Sequence, residues 1–146
     1  MNTKNALNNI RLSKNFRAVE FANSKDGYAI KLPNPELIDK LQQVRDIVGS
    51  VNITSGYRTP SFNKKIGGSP NSNHLKGLAS DIVFDFTNWK QKQLRSIFMA
   101  VGFTNVGFYY HGKELRWIHV DIGKPWNAVN GWVAYGENYR EKTYQV

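Results

Sequence analysis

His74 and Asp81 stand seven residues apart, and a second histidine, His119, sits in the run Trp117-Ile118-His119-Val120-Asp121-Ile122. Two imidazoles and one carboxylate can serve a catalytic zinc, which takes three protein ligands and keeps a further position for water. Asp81 interrupts an otherwise apolar stretch, residues 78–84, where an unpaired carboxylate is expensive to bury. A metal ion would compensate it; so would an arginine or a cluster of N–H groups. A lone histidine in a strand is commonly a hydrogen-bonded structural residue, so spacing by itself leaves both readings open. The remaining histidine, His111, adjoins Gly112 and is expected to be exposed in a turn. With no cysteine in the chain, disulfides and thiolate ligands are excluded, and any metal must be held by His, Asp or Glu.

The elements around these residues follow from periodicity. Alternation across 117–122 puts Trp117, His119 and Asp121 on one face of a strand and Ile118, Val120 and Ile122 on the other. That strand pairs in a hairpin, 106–110 with 115–122, turning at 111–114. Residues 51–54 and 78–84 read as further strands, and 132–135 as a short one in the aromatic tail, 126–146. Residues 34–49 carry a helical stripe of Leu37, Ile38, Leu41, Val44, Ile47 and Val48, with Asn34 as cap, Pro35 in the first turn and Gly49 as stop. A helix over 88–101 would bury Trp89, Leu94, Ile97, Phe98 and Val101. A short helix over 13–24, capped by Ser13, would bury Phe16, Val19 and Phe21. The Gly- and Ser-rich stretch 55–73 reads as loop. This order predicts one α+β domain over 1–146, with a small antiparallel sheet and flanking helices.

Lys and Arg outnumber Asp and Glu by 20 to 11, a formal net charge of +9. Such a surface favours an anionic partner: nucleic acid, headgroups or a wall polymer. The cations are spread along the chain, and no nucleic-acid motif accompanies them. No apolar stretch is long enough for a membrane span. The opening MNTKNALNNIRLSKNF lacks the apolar run of a secretory signal, so synthesis in the cytoplasm is expected.

The segment SGYRTPSFNKKIGGSPNSNHLKGLASDI, residues 55–82, followed by WIHVDI, residues 117–122, resembles the zinc D-alanyl-D-alanine metallopeptidases. These include wall carboxypeptidases, dipeptidases and phage endolysins, and the hedgehog zinc fold is related. The likeness extends over about residues 12–123. It implies that His74, Asp81 and His119 bind Zn2+, that Arg58 grips a substrate carboxylate, and that Ser72 contacts substrate. Arg58 could instead pair with a nearby acid to hold its loop, and Ser72 could be a turn or cap residue. Tyr57 and Asn63 read as loop scaffolding.

One position departs from the family. Many relatives carry Glu or His three residues before the last ligand, where this chain has Arg116, and an arginine cannot accept a proton from water. Asp121 is the expected general base because it shares a face with His119. Its alternative role is to orient that ring. Glu114 stands in reserve. The resemblance therefore implies a monomeric zinc peptidase of bacterial peptidoglycan, carboxypeptidase or endopeptidase, acting at the cell wall. A phage endolysin released by a holin is the nearest analogy. The rivals are a zinc-binding wall module without activity and, on charge alone, a nucleic-acid-binding protein.

Overall fold

The structure, a computed structural model, describes residues 2–143. The last residues of the aromatic tail, 144–146, lie outside the described part. The chain runs as helix α1 (Thr3–Asn8), helix α2 (Pro35–Val48), strand β1 (Asn52–Ser55), helix α3 (Pro60–Lys65), strand β2 (Ala79–Val83) and helix α4 (Gln91–Val101). Strands β3 (Asn105–His111), β4 (Glu114–Asp121), β5 (Gly131–Tyr135) and β6 (Glu141–Thr143) follow. The fold is α+β, as the periodicities predict. No helix among the described residues is long and apolar enough to cross a membrane.

The six strands form one sheet in the order β1-β2-β4-β3-β5-β6. All neighbours are antiparallel except β3 and β5, which are parallel. The exception has a simple cause. The chain leaves β4, passes β3 and pairs on its far edge, so β5 runs against β4 and therefore along β3. One sheet face presents Ile82, Val106, Phe108, Ile118 and Val120, all fully buried, to the core with Leu37, Leu41, Leu94 and Phe98 of α2 and α4. Burying one face fixes strand register, because a slip by one residue would turn every side chain to the other side.

Helix α2 matches its expected caps: the Asn34 side chain accepts from the Glu36 N–H at 2.9 Å, and Gly49 ends it at φ 94°. Ile47 is 51% exposed, against expectation. At about 100° per residue it is turned roughly a third of the way around the helix from the stripe's centre. Helix α4 starts later than expected, leaving Trp89 before it and half-buried.

The N-terminal segment corrects the sequence reading. Residues 13–24 are not a helix; only Ala18–Phe21 forms a 3-10 turn. Ser13 caps nothing and instead donates from its hydroxyl to Gln42 Oε1 of α2 at 2.7 Å, while the Asn15 N–H donates to the same oxygen at 3.0 Å. Phe16 and Phe21 are buried as expected, with rings edge to face at 5.9 Å, but Val19 is only half-buried. The supposed loop 55–73 contains α3, capped by Thr59, whose hydroxyl accepts from the Phe62 N–H at 3.2 Å. Thr59-Pro60 is a cap followed by a first-turn proline, a signal the glycines and serines around it obscured.

Candidate metal centre

The second sheet face carries the polar residues, and register brings them into a line. Asp81 of β2 lies beside His119 of β4, His119 beside Gly107 of β3, and Gly107 beside Trp132 of β5. On one side of this row stand Ala79, Asp121 and Asn105; on the other stand Trp117, Tyr109, Ala134 and Lys142. Gly107 matters because a Cβ there would lie 2.4 Å from the Trp132 ring. Its missing side chain lets the indole lie across the strand and reach the His119 ring, 5.2 Å between centroids.

His74 arrives from outside the sheet. It sits in a 3-10 turn, Asn73–Lys76, whose start is held by Ser72: the hydroxyl accepts from the His74 N–H at 3.2 Å. The ring is 2% exposed. Its Nδ1 lies 2.7 Å from the Gly56 carbonyl oxygen, which leaves Nε2 buried without a hydrogen bond. That Nε2 stands 3.3 Å from Asp81 Oδ1, close enough for an ion pair but not aligned for a hydrogen bond. His119 Nδ1 lies 3.1 Å from the same Oδ1.

The three ligand atoms lie within 4.8 Å of one another. Tetrahedral zinc with bonds of about 2.0 Å spaces its ligands by roughly 3.3 Å, so the two nitrogen–oxygen separations already match. Ring orientation fits as well. A ligating histidine usually donates its other nitrogen to a carbonyl or carboxylate, and here His74 meets Gly56 while His119 Nε2 meets Asp121 Oδ2 at 2.7 Å. The orphaned Nε2 of His74 is the clearest sign that this donor set fits a metal ion.

Electrostatics favour positive charge at the same point. Burial opposes ionisation of Asp81, yet the imidazoles of His74 and His119 hold its carboxyl well below the usual range. Burial likewise opposes charge on His119, but hydrogen bonds to Asp121 and Asp81 push it up to about 9. Asp121 is also lowered: burial resists, and the His119 hydrogen bond and charge prevail.

Around the three lies a cleft of about 390 Å³, and Arg58, Ser72 and Asp121 all line it. Arg58 does what its alternative reading required. Its guanidinium meets Asp81 Oδ2, Ser55 Oγ and Asn63 Oδ1, each at 3.3 Å, so Asp81 keeps Oδ1 turned to the histidines. Asn63, 3% exposed, also donates to the Ser69 carbonyl at 2.8 Å, in keeping with scaffolding. Asp121 accepts from His119, from Asn105 Nδ2 at 2.7 Å and from the Gly123 N–H at 3.1 Å. Glu114 is elsewhere: it lies at the exposed hairpin end, 3.6 Å from Arg116, and lines a different depression. His111 is exposed, as expected.

Three contributors escaped the sequence reading. Asn105 is 1% exposed and ties Asp121 to the Lys124 carbonyl and the Trp126 N–H. Tyr109 and Trp132 form the cleft's aromatic side, the indole N–H donating to the phenol oxygen at 3.1 Å. Alternation along β3, 105-107-109, would have placed two of them on the site's face once β3 was paired with β4.

Gly56 supports His74 through its carbonyl, and a Cβ there would lie 2.6 Å from the Phe21 backbone. Gly56→Ala is therefore expected to lower stability by about 1–3 kcal/mol through overpacking. Shifting that carbonyl should also weaken zinc affinity by about 10- to 100-fold, the usual effect of losing a ligand's support. Thermal melting and a competitive zinc titration check the two effects separately.

A comparison with curated proteins finds no match. Residues 10–121 match the family model described as Peptidase M15.

Proposed function

The chain belongs to the peptidase M15 family, and from that premise we propose that it hydrolyses peptide bonds in bacterial peptidoglycan with a zinc ion held by His74, Asp81 and His119. The observation that carries the reading is the buried His74 Nε2, orphaned beside Asp81 at the floor of an open cleft. Zinc bound there would polarise the scissile carbonyl and bring a bound water's pKa to about 7.

The chain's own residues supply the rest. Asp81 and the two imidazoles fix the metal, and Gly56 and Asp121 fix the imidazoles. Asp121 is our proton acceptor, because among the described residues the cleft lining includes no carboxylate besides it and Asp81. Three donors already point at it, and an ionised carboxylate has about four lone-pair sites, so one remains. Arg58 binds a substrate carboxylate with a guanidinium edge while holding Asp81. Ser72 adds a hydroxyl at the cleft wall. Arg58, Lys124 and Lys142 line the cleft against those two carboxylates, a balance suited to the anionic stem peptide once a dication is added. We place the action at the cell wall, in the manner of a monomeric endolysin freed by a holin-type partner.

Digestion of purified peptidoglycan followed by mass spectrometry of the muropeptides tests this reading. Loss of a terminal residue would mark a carboxypeptidase, and cut cross-links an endopeptidase. Intact muropeptides after incubation with the zinc-loaded chain would overturn it. A second reading, a zinc-holding wall module without turnover, is favoured by Arg116 at the usual base position and by the crowding of Asp121. It predicts binding to the wall with no release of amines.

For Arg58→Lys, the loss of one charge-assisted hydrogen bond to substrate, about 1.5–3 kcal/mol, should lower kcat/KM by roughly 10- to 100-fold at saturating zinc. Turnover at the parent rate removes Arg58 from substrate binding. A fall in zinc affinity alone assigns it to Asp81.

A further inference from the structure

Tyr109 lies one row beyond the metal ligands, on the strand next to His119. Its ring is stacked on Trp117, centroids 4.5 Å apart and planes 12° from parallel, which fixes the side chain's direction. The phenol oxygen is located by a second contact, accepting from Trp132 Nε1 at 3.1 Å. That nitrogen lies over Gly107, 2.6 Å from where a Cβ would be, and Gly107 is the residue paired with His119. Two aromatic contacts and one missing side chain thus hold the Tyr109 side chain in the wall of the cleft that also contains His74, Asp81 and His119.

The oxygen is an acceptor in this arrangement, and its proton goes to no protein group among the described residues. A tyrosine hydroxyl has one donor and is normally protonated at neutral pH; burial here strengthens that preference, pushing the phenol up to about 12. The cleft therefore holds an oriented, neutral donor with no partner. The two carboxylates and two imidazoles of the site are engaged with one another. Arg58 is held by Asp81, Ser55 and Asn63.

We propose that Tyr109 is a catalytic residue that donates its hydroxyl hydrogen bond to the scissile carbonyl oxygen as that oxygen gains charge. No bond to tyrosine forms and no proton leaves it; the donor strengthens its bond as the carbonyl becomes tetrahedral. A preorganised donor of this kind acts on the transition state more than on bound substrate. The inference rests on the proposed peptide hydrolysis, and the test separates the two.

Tyr109→Phe keeps the ring on Trp117 and removes only the hydroxyl. In the zinc-loaded full chain, kcat on a muropeptide should fall about 10²- to 10³-fold, the loss typical of one oxyanion donor. KM, zinc affinity and Tm should stay at the parent values. Calorimetry with a dipeptide phosphinate, an anionic tetrahedral mimic, gives a readout independent of turnover: its affinity should fall by at least tenfold. Parent-like kcat and phosphinate affinity in the variant would overturn the proposal, as would a parent that neither cuts peptide nor binds phosphinate. An equal loss in zinc affinity would also overturn it, by showing that the hydroxyl acts on the metal site. A parent that binds phosphinate in a Tyr109-dependent way but cuts nothing would leave Tyr109 as the anion donor and sink the peptidase reading alone.

Discussion

Stripping zinc from the protein is expected to lower its melting temperature by roughly 10 °C and to bring peptide hydrolysis to background, with both restored by added zinc. A ligand present at about 1,000 times its Kd contributes about 4 kcal/mol, and in a domain of this size each kcal/mol moves Tm by roughly 3 °C. The structural cause is that the proposed ligands come from a 3-10 turn, β2 and β4. Strands β2 and β4 are already paired, so an ion held there would chiefly fasten the 73–76 turn to the sheet. His74→Ala should remove the same stabilisation, and zinc should not rescue it. The comparison of chelated parent with variant isolates the metal from the cavity that alanine leaves. A metal-free chain whose melting is unmoved by zinc would refute the centre altogether.

Asp121→Asn distinguishes proton transfer from support. Asparagine keeps the size and one oxygen, but it accepts no proton. As a general base, Asp121 should take about 10²–10⁴ of the rate with it while zinc stays bound. As a prop for His119, its loss should weaken zinc affinity by about 10- to 100-fold, and excess zinc should recover turnover. We expect the first pattern at saturating zinc with a share of the second, because the 2.7 Å contact to His119 Nε2 is lost or reversed in the amide. Glu114→Gln is the matched control and should work at the parent rate, since Glu114 sits at the hairpin end beside Arg116. A dead Glu114 variant together with an active Asp121 variant would reverse the assignment.

Much of this site was legible in the sequence because strands write their faces by alternation. Alternation along the run 117–122 places Trp117, His119 and Asp121 on one face, and the buried Ile118 and Val120 agree. Asp81 announced itself as a charge in apolar company. The parts that were not legible depend on contacts between distant segments. Gly56 holds His74 across eighteen positions, and Asn105 reaches Asp121 across sixteen; no local period encodes either. The failed helix at 13–24 has the same origin. Ser13 has a cap's chemistry, but Gln42 captures it from another element, and tertiary contact overrides local preference.

The aromatic side of the cleft makes the protein its own optical probe. Of its four tryptophans, three line the cleft, Trp117, Trp126 and Trp132, while Trp89 packs against the core. Indole emission responds to charge and polarity within a few ångströms, and Trp132 sits against the His119 imidazole. Three of the four indole emitters therefore stand where metal and substrate would sit, and binding of either is expected to change the emission of the unlabelled protein.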